Sequence, residues 1–456
     1  MTSDAWPRPA DQTLASLAAE PLLTRDYDAD PGAVHERLRA AYGPVAPVGL
    51  LGVPVWMVLG FDEVREVLRD DSGVWSKRLD SWRDLTEGRV PANWPLAPAF
   101  AVNSSAFQDG SALRQVRDAW TAALAPFQDR SHPLGRDLER AVHRYADDLI
   151  TVLSEGGAGY ADLCAQYARP LPLMVINRLL GFPTAQGDEV FMDIWRMLDA
   201  GPEAAQAAGR LMASMAGLAA AKRSRPGDDV PSYLLAARPE FGVDELAREL
   251  IMLPVLAGDV TASLISNTIV EVLVDPAVRA SRAEGVQEIV NRVALANPVM
   301  ANLTFRFPRT DVKLGAFTIA AGDPVMVSIA GAHADPLFGA AIDPGLMRST
   351  RGHLAWGVGP HRCLGRQLAT TMTTIAVDRL FDRFAGLRLA LPADQLPWRP
   401  SPFVRALRSL PVRFEPAARP APRPAASGTP PEPAPAAPPA RSALWRFLRA
   451  LRGDRG

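Results

Sequence analysis

From Asp30 to Ala41 the apolar residues recur at the spacing of one helical face. Val45 to Leu59 changes period and predicts two strands around a Gly-Val-Pro turn. Most of 62–300 returns to helical spacing, predicting helices at 62–69, 111–126, 134–155, 160–181, 187–200, 203–222, 244–274 and 284–295. Within these, 244–274 is the best long helix, with Asp244 placed to cap it and Asp275-Pro276 to end it. Short strands are predicted at 303–307, 311–319 and 324–328, and 335–356 reads as irregular, with Asp-Pro at 335–336 and 343–344. Apolar positions 364, 368, 372, 375 and 376 predict a last long helix, followed by strands near 387–391 and 411–414. A helix-rich chain with a minor β part at its two ends is a mostly α, α+β fold.

The pattern stops at Pro416: from there to Ala440, 19 of 25 residues are Pro or Ala, which cannot pack a core and predicts an extended linker. Beyond it, Leu444, Phe447, Leu448 and Leu451 share a helical face, with Arg446, Arg449 and Arg452 off it. That basic amphipathic tail suits an anionic membrane surface or an acidic partner groove. The predicted division is an N-terminal extension at 1–19, a folded unit at 20–415, a linker at 416–440 and the tail at 441–456.

Composition adds exclusions. A net charge of −1 gives no reason to expect nucleic acid, and two cysteines cannot form a disulfide framework, which suits a reducing compartment. Residues 1–13 lack a signal-peptide layout, and the low-charge run Val45–Phe61 is broken by Pro47, Gly49, Gly52, Pro54 and Gly60, unlike a membrane span. The expected location is cytoplasmic, with the tail able to reach the inner face of the membrane.

The chemistry concentrates in the run from Trp356 to Ala369. Gly357 and Gly359 permit a tight turn, Pro360 stiffens it, and one thiol, Cys363, is delivered at the start of a helix. The helix dipole and free N–H groups there favour the thiolate, a soft axial ligand for haem iron. Cys164, in an apolar stretch, reads as a core residue. Six histidines and two cysteines show no zinc or nonhaem-iron spacing.

The run resembles the cysteine loop of the haem-thiolate monooxygenases, the cytochromes P-450, whose pattern is Phe-Gly-x-Gly-x-His-x-Cys-x-Gly-x-x-Leu-Ala. Every fixed position matches, Gly365 included, except that Trp356 replaces Phe. The resemblance spans roughly 20–415 and implies the family fold and haem b, with Cys363 as iron ligand. It implies that the haem propionates are held by Arg117, Arg306 and His361, although Leu113 replaces a family His. On the oxygen side the pattern Ala/Gly-Gly-x-Asp/Glu-Thr-Thr/Ser falls on Ala257 to Ala262. Ala257, Gly258 and Thr261 match; the small residues would let haem and O2 approach the backbone, and Thr261 would help hold a water. Val260 replaces the acid, and Asp259 lies one residue early, about 100° around the helix. The family's Glu-x-x-Arg, which tethers the segment leading to the Cys loop, becomes Glu288 with Asn291 at the Arg position. Arg292 follows, so a Glu288–Arg292 contact stays open. Residues 82–91 resemble an actinomycete subgroup that lacks this Arg.

The implied function is a monooxygenase inserting one atom of O2 into a small hydrophobic substrate, fed by a separate ferredoxin and ferredoxin reductase that dock near Arg362 and Arg366. The alternative is a catalytically relaxed haem protein, a sensor or component of a membrane-associated regulatory complex, in keeping with Val260, Leu113 and Asn291. Trp82, Trp94, Phe100 and Met300 are candidate pocket-lining residues, each also explicable by core packing.

Overall fold

The computed structural model describes residues 13–415 apart from 18, 101, 156–158, 199–201, 283–284, 341–351 and 385, together with 446, 447 and 449. The predicted linker, most of the tail, most of the N-terminal extension and the centre of the predicted irregular segment lie outside these residues. Pro336–Ala340, ahead of that centre, is a short helix and not irregular.

Helix Pro31–Tyr42 begins where Asp30 accepts from the Ala33 N–H at 3.1 Å and Pro31 presets the first turn. It ends at Gly43, whose φ of 82° suits glycine. Strands Val45–Leu50 and Val53–Val58 follow as an antiparallel hairpin. Its turn is Leu51-Gly52, with φ of 50° and 90°, so Val53 and Pro54 already belong to the second strand and not to the expected turn. The strand Val53–Val58 also pairs in parallel with Val325–Ser328, which pairs antiparallel with Asn302–Pro308. That last pairing slips between Leu303 and Arg306, a bulge that re-aims Arg306 inward.

The helical body packs around Asp259–Val274, Val286–Ala296 and Arg366–Arg383. The long helix predicted over 244–274 is present but interrupted. Val243–Leu250 leads into a π-turn at Leu253–Gly258 and then Asp259–Val274. Pro254 has no N–H to donate, so the ladder re-forms with one extra residue in the turn. Gly242, not Asp244, is the N-cap, and Asp244 lies in the first turn. Among the described residues Val243–Val274 is the stretch apolar and long enough to cross a membrane, but it is a core helix, largely enclosed by its neighbours. Glu249 is buried in it and accepts from Ser105 N (2.6 Å), Ser105 Oγ (2.7 Å) and Trp120 Nε1 (2.9 Å), tying three segments together.

The helix expected over 160–181 is shorter. Tyr160–Asp162 is a strand paired with Pro411–Arg413, and Asp162 Oδ1 accepts from Cys164 N and Leu410 N at 3.0 Å each. A π-turn at Cys164–Ala168 then opens helix Pro170–Leu180. Cys164 is a core residue, its thiol pushed up to about 12 by burial and 3.4 Å from Ser266 Oγ. The apolar face expected to leave the body with the tail is turned inward at Phe447. Its ring meets Trp195 edge-on at 5.4 Å, and Arg449 pairs with Glu155 at 2.9 Å.

His35 and His333 are each held at about 4, mainly by burial. Their folded values lie below the usual 6.5, so the unfolded chain binds more protons between the two. The stability they contribute is full above pH 6.5 and is lost as pH falls toward about 4. Unfolding free energies from urea titrations between pH 7.5 and 4.5 are expected to fall with pH, by up to about 1.4 kcal/mol per pH unit for each histidine. Replacing His35 by Gln should flatten the slope; an unchanged slope would show that it titrates alike in both states.

Candidate active site

The Cys363 loop is built by close approach. Gly357 and Gly359 have φ of 67° and 72°, and a Cβ on Gly359 would stand 2.3 Å from the carbonyl oxygen of Leu68 at the end of helix Phe61–Arg69. One tight turn, Gly359–His361, follows, and the Cys363 N–H donates to Trp356 O at 2.8 Å. Gly365 then caps helix Arg366–Arg383. A Cβ there would meet nothing within 4 Å, so neighbouring protein atoms do not demand this glycine.

Cys363 is exposed, yet its sulfur lies in a recess of the body, where burial raises its thiol above the usual range. The Gly365 N–H, the Arg117 charge and the N–H and charge of Arg366 act the other way. The donors expected at the helix start are therefore present, and burial acts against them. A coordinated metal ion reverses that balance by displacing the proton.

Arg117, on helix Gly110–Gln128, donates through Nη2 to the Arg362 carbonyl of the same loop. Arg306, aimed inward by the bulge, is buried and donates to the Thr304 and Phe305 carbonyls at 3.3 Å. Burial holds it at about 10. His361 has a buried Nε2 with no hydrogen-bond partner, and its pKa is pushed well below the ordinary value by burial, then by Arg306, Lys77 and Arg117.

Lys77 is the residue that sequence reasoning missed. It follows the short strand Trp75–Ser76, is buried, and donates to Thr304 O at 3.2 Å and to Thr304 Oγ1, with Nζ 5.1 Å from the centre of the Phe107 ring. Burial and then Arg306 push its pKa well down. Leu113, where the resemblance calls for His, is packed into the core; Lys77 brings a basic group from a different element. Among the described residues neither Lys77 nor Arg306 forms an ion pair. Two buried cations and an orphaned imidazole nitrogen facing one region fit a ligand carrying two carboxylates, as haem does. No local sequence pattern marks Lys77, because its proximity to Arg306 arises only when Trp75–Ser76 pairs with Phe307 and Pro308.

On the other side, Thr261 is buried in helix Asp259–Val274. Ser263, Ser266 and Thr268 bond back to the carbonyls of Asp259, Ala262 and Leu264 at 2.8, 3.0 and 2.7 Å. Among the described residues Thr261 makes no such back-bond, which leaves its hydroxyl available. A Cβ on Gly258 would lie 2.7 Å from Leu173 Cδ2, so this glycine serves packing against helix Pro170–Leu180. Ala257 and Val260 are half-buried against the helical core. Asp259 is taken up by Arg399, Oδ1 at 3.1 Å from Nη1 and Oδ2 at 2.6 Å from Nη2, a bidentate pair that removes it as a free proton carrier.

The contact left open between Glu288 and Arg292 is not formed. Arg292 turns to the end of the Asp259 helix and pairs with Glu271 at 2.8 Å and Asp275 at 2.9 Å. Asn291 Oδ1 is 3.0 Å from His353 Nε2. Trp82, Trp94 and Phe100 form an aromatic cluster with Phe305, so packing accounts for these three, while Met300 is half-buried and pairs with Val404 only through a backbone bridge.

A mostly helical body with a small sheet, one thiol on a rigid loop and basic groups beside it define a haem-thiolate protein. No family model matches the chain. It is 33% identical over 410 residues to the cytochrome P450 monooxygenase PikC of Streptomyces venezuelae, covering 86% of this chain and 93% of that protein. It is 30% identical over 406 residues to the vitamin D3 dihydroxylase of Streptomyces griseolus, covering 83% and 93%. Among solved structures, CYP154A1 of Streptomyces coelicolor A3(2) superposes with a TM-score of 0.72 at 31% identity over 85% of this chain and 98% of that one. CYP154C4 of Streptomyces sp. W2061 gives 0.75 at 27%, over 87% and 98%. The chain belongs to the cytochrome P450 family, whose members bind haem b.

Replacing Lys77 by Met deletes a buried cation that has no acidic partner. Apoprotein stability is expected to hold or rise, while haem transfer to an acceptor protein speeds up about tenfold, the loss of one charge-assisted hydrogen bond of about 1.4 kcal/mol. An unchanged transfer rate would place Lys77 outside the haem contacts.

Proposed function

We propose that this protein is a haem-thiolate monooxygenase that inserts one oxygen atom from O2 into a small hydrophobic substrate, with electrons from a separate ferredoxin and ferredoxin reductase. The observation that carries the reading is Cys363 on its pinned loop beside the basic groups Lys77, Arg306 and His361, none of which forms an ion pair among the described residues. Bound haem supplies the redox chemistry, activating O2 with two electrons and two protons. Lys77, Arg306 and His361 would bind its carboxylates, and Arg117 holds the loop through the Arg362 carbonyl. The Gly365 and Arg366 N–H groups would steady the sulfur. Thr261, free of the back-bond its neighbours make, would hold a water for proton delivery.

Electron delivery has a candidate face. A depression of about 490 Å3 beside the loop is lined by Arg130, Arg366, Gln367, Trp356 and Leu364, and Arg362 is exposed on the same loop. The arginines on its rim suit an acidic redox protein. The working unit is residues 20–415, in the cytoplasm, with 416–440 a linker and 441–456 an appended tail.

Val260 at the acid position and the capture of Asp259 by Arg399 favour a second reading, a haem protein whose turnover is relaxed into sensing. Turnover separates the two. With haem loaded and surrogate ferredoxin partners supplied, a ligand that shifts the haem spin state is expected to be converted to a product one oxygen heavier, with matching consumption of reduced nicotinamide. A reducible, ligand-binding protein that yields no product with any such ligand would leave the sensor reading.

A further inference from the structure

His333 closes the helix Ile329–His333, and residues 353–356 lead directly into the Cys363 loop. His333 Nε2 accepts from the Leu354 N–H at 2.8 Å. Its Nδ1 must then carry the proton, and donates to the Leu295 carbonyl of helix Val286–Ala296 at 2.8 Å. His353 is arranged the opposite way. Its Nδ1 accepts from the Ala355 N–H at 3.3 Å, so Nε2–H donates to Asn291 Oδ1 at 3.0 Å on the same helix. The two rings meet edge to face at 5.8 Å, and both His353 and Asn291 are buried. Phe338 stacks on His333 and Phe61 stacks on Phe338, which closes the far side.

The path continues to the thiol. Leu354 O, one residue's backbone away from the bond to His333, accepts from the Gly357 N–H at 2.8 Å. Trp356 O accepts from the Cys363 N–H at 2.8 Å. Thus the two imidazoles pin Leu354 and Ala355, the residues that lead directly into Trp356, whose carbonyl orients the backbone of Cys363.

We propose that Asn291, His353 and His333 are positioning residues that fix the approach of the Cys363 loop, at the place in the fold where the family resemblance puts the Arg of Glu-x-x-Arg. The proposal rests on Cys363 being the haem ligand. Neutral imidazoles suit the task. Each presents one donor and one acceptor in fixed directions, so one ring joins a helix and the loop backbone at once, without bringing a charge into the core. Arg292, one residue further along, is thereby freed to pair with Glu271 and Asp275.

The test uses the haem-loaded protein. The share of thiolate-type band in the reduced, CO-bound spectrum and the rate of haem transfer to apomyoglobin are read for wild type and variants. Asn291→Leu and His353→Leu are expected to convert part of the band to the thiol type and to speed haem transfer about tenfold, as removal of an outer-shell partner does. Asn291→Asp, which keeps an acceptor for His353, should stay near wild type. Arg292→Gln, which breaks the ion pairs on the same helix, should lower the unfolding midpoint and leave the band ratio unchanged. Should His353→Leu not accumulate, the pair Asn291→Leu and Asn291→Asp decides alone: a lowered ratio only in the leucine variant supports the proposal, and equal ratios overturn it. A band shift in Arg292→Gln as large as that in Asn291→Leu would also overturn it, by reducing the effect to general destabilisation. Absence of a thiolate band in the wild type itself would instead remove the ligand assignment beneath it.

Discussion

Inside this protein Lys77, Arg306 and His361 face a common region, and among the described residues no acid forms an ion pair with any of them; Asp109 acts on Lys77 and Arg306, and Asp70 on Arg306, without one. Taking such groups out of water costs several kcal/mol each unless anions compensate. The carbonyls of Thr304 and Phe305 and the face of Phe107 offset part of this cost. Much of the surrounding architecture follows from keeping these groups in place. The bulge between Leu303 and Arg306 aims the guanidinium inward. The short strand Trp75–Ser76, paired with Phe307 and Pro308, brings Lys77 alongside. Gly359 lets the cysteine loop come against Leu68, and the turn that follows presents His361. A ligand with paired carboxylates would turn an electrostatic cost into a binding site, and Cys363 on its loop would be the residue to hold that ligand's metal.

The thiol side obeys a complementary logic. Its N–H donors and nearby arginines favour the anion, but burial is the larger influence until a metal ion displaces the proton. Rigid delivery therefore matters more than an acidic thiol. Two glycines, a proline and the Cys363-to-Trp356 hydrogen bond shape the loop, and the bonds of His333 and His353 to helix Val286–Ala296 hold its approach.

What was legible in the sequence was what local spacing encodes. The helix after Asp30, the hairpin, the helical body and the cysteine loop all follow from periodicity and turn chemistry, and the loop's fixed positions carried the family resemblance. What was not legible depends on partners far along the chain. The strand at Tyr160–Asp162 exists because Pro411–Arg413 lies beside it, against a helical local pattern. The break in the long helix falls at Pro254, but the π-turn and the packing of Gly258 on Leu173 require the neighbouring helix. Asp259 was placed one residue from the family's acid, yet its engagement by Arg399, 140 residues away, could not be seen. Lys77 was missed for the same reason, and Arg292 was offered the wrong carboxylate because Glu271 and Asp275 are near it only in three dimensions.

The most direct test of sulfur ligation is the reduced, CO-bound absorption spectrum of haem-loaded wild type beside Cys363→Ser. The wild type should show the red-shifted band of a thiolate-ligated haem, and the serine variant should lose it while still binding haem through the basic groups. A wild type without that band, or a serine variant that keeps it, would contradict ligation by Cys363.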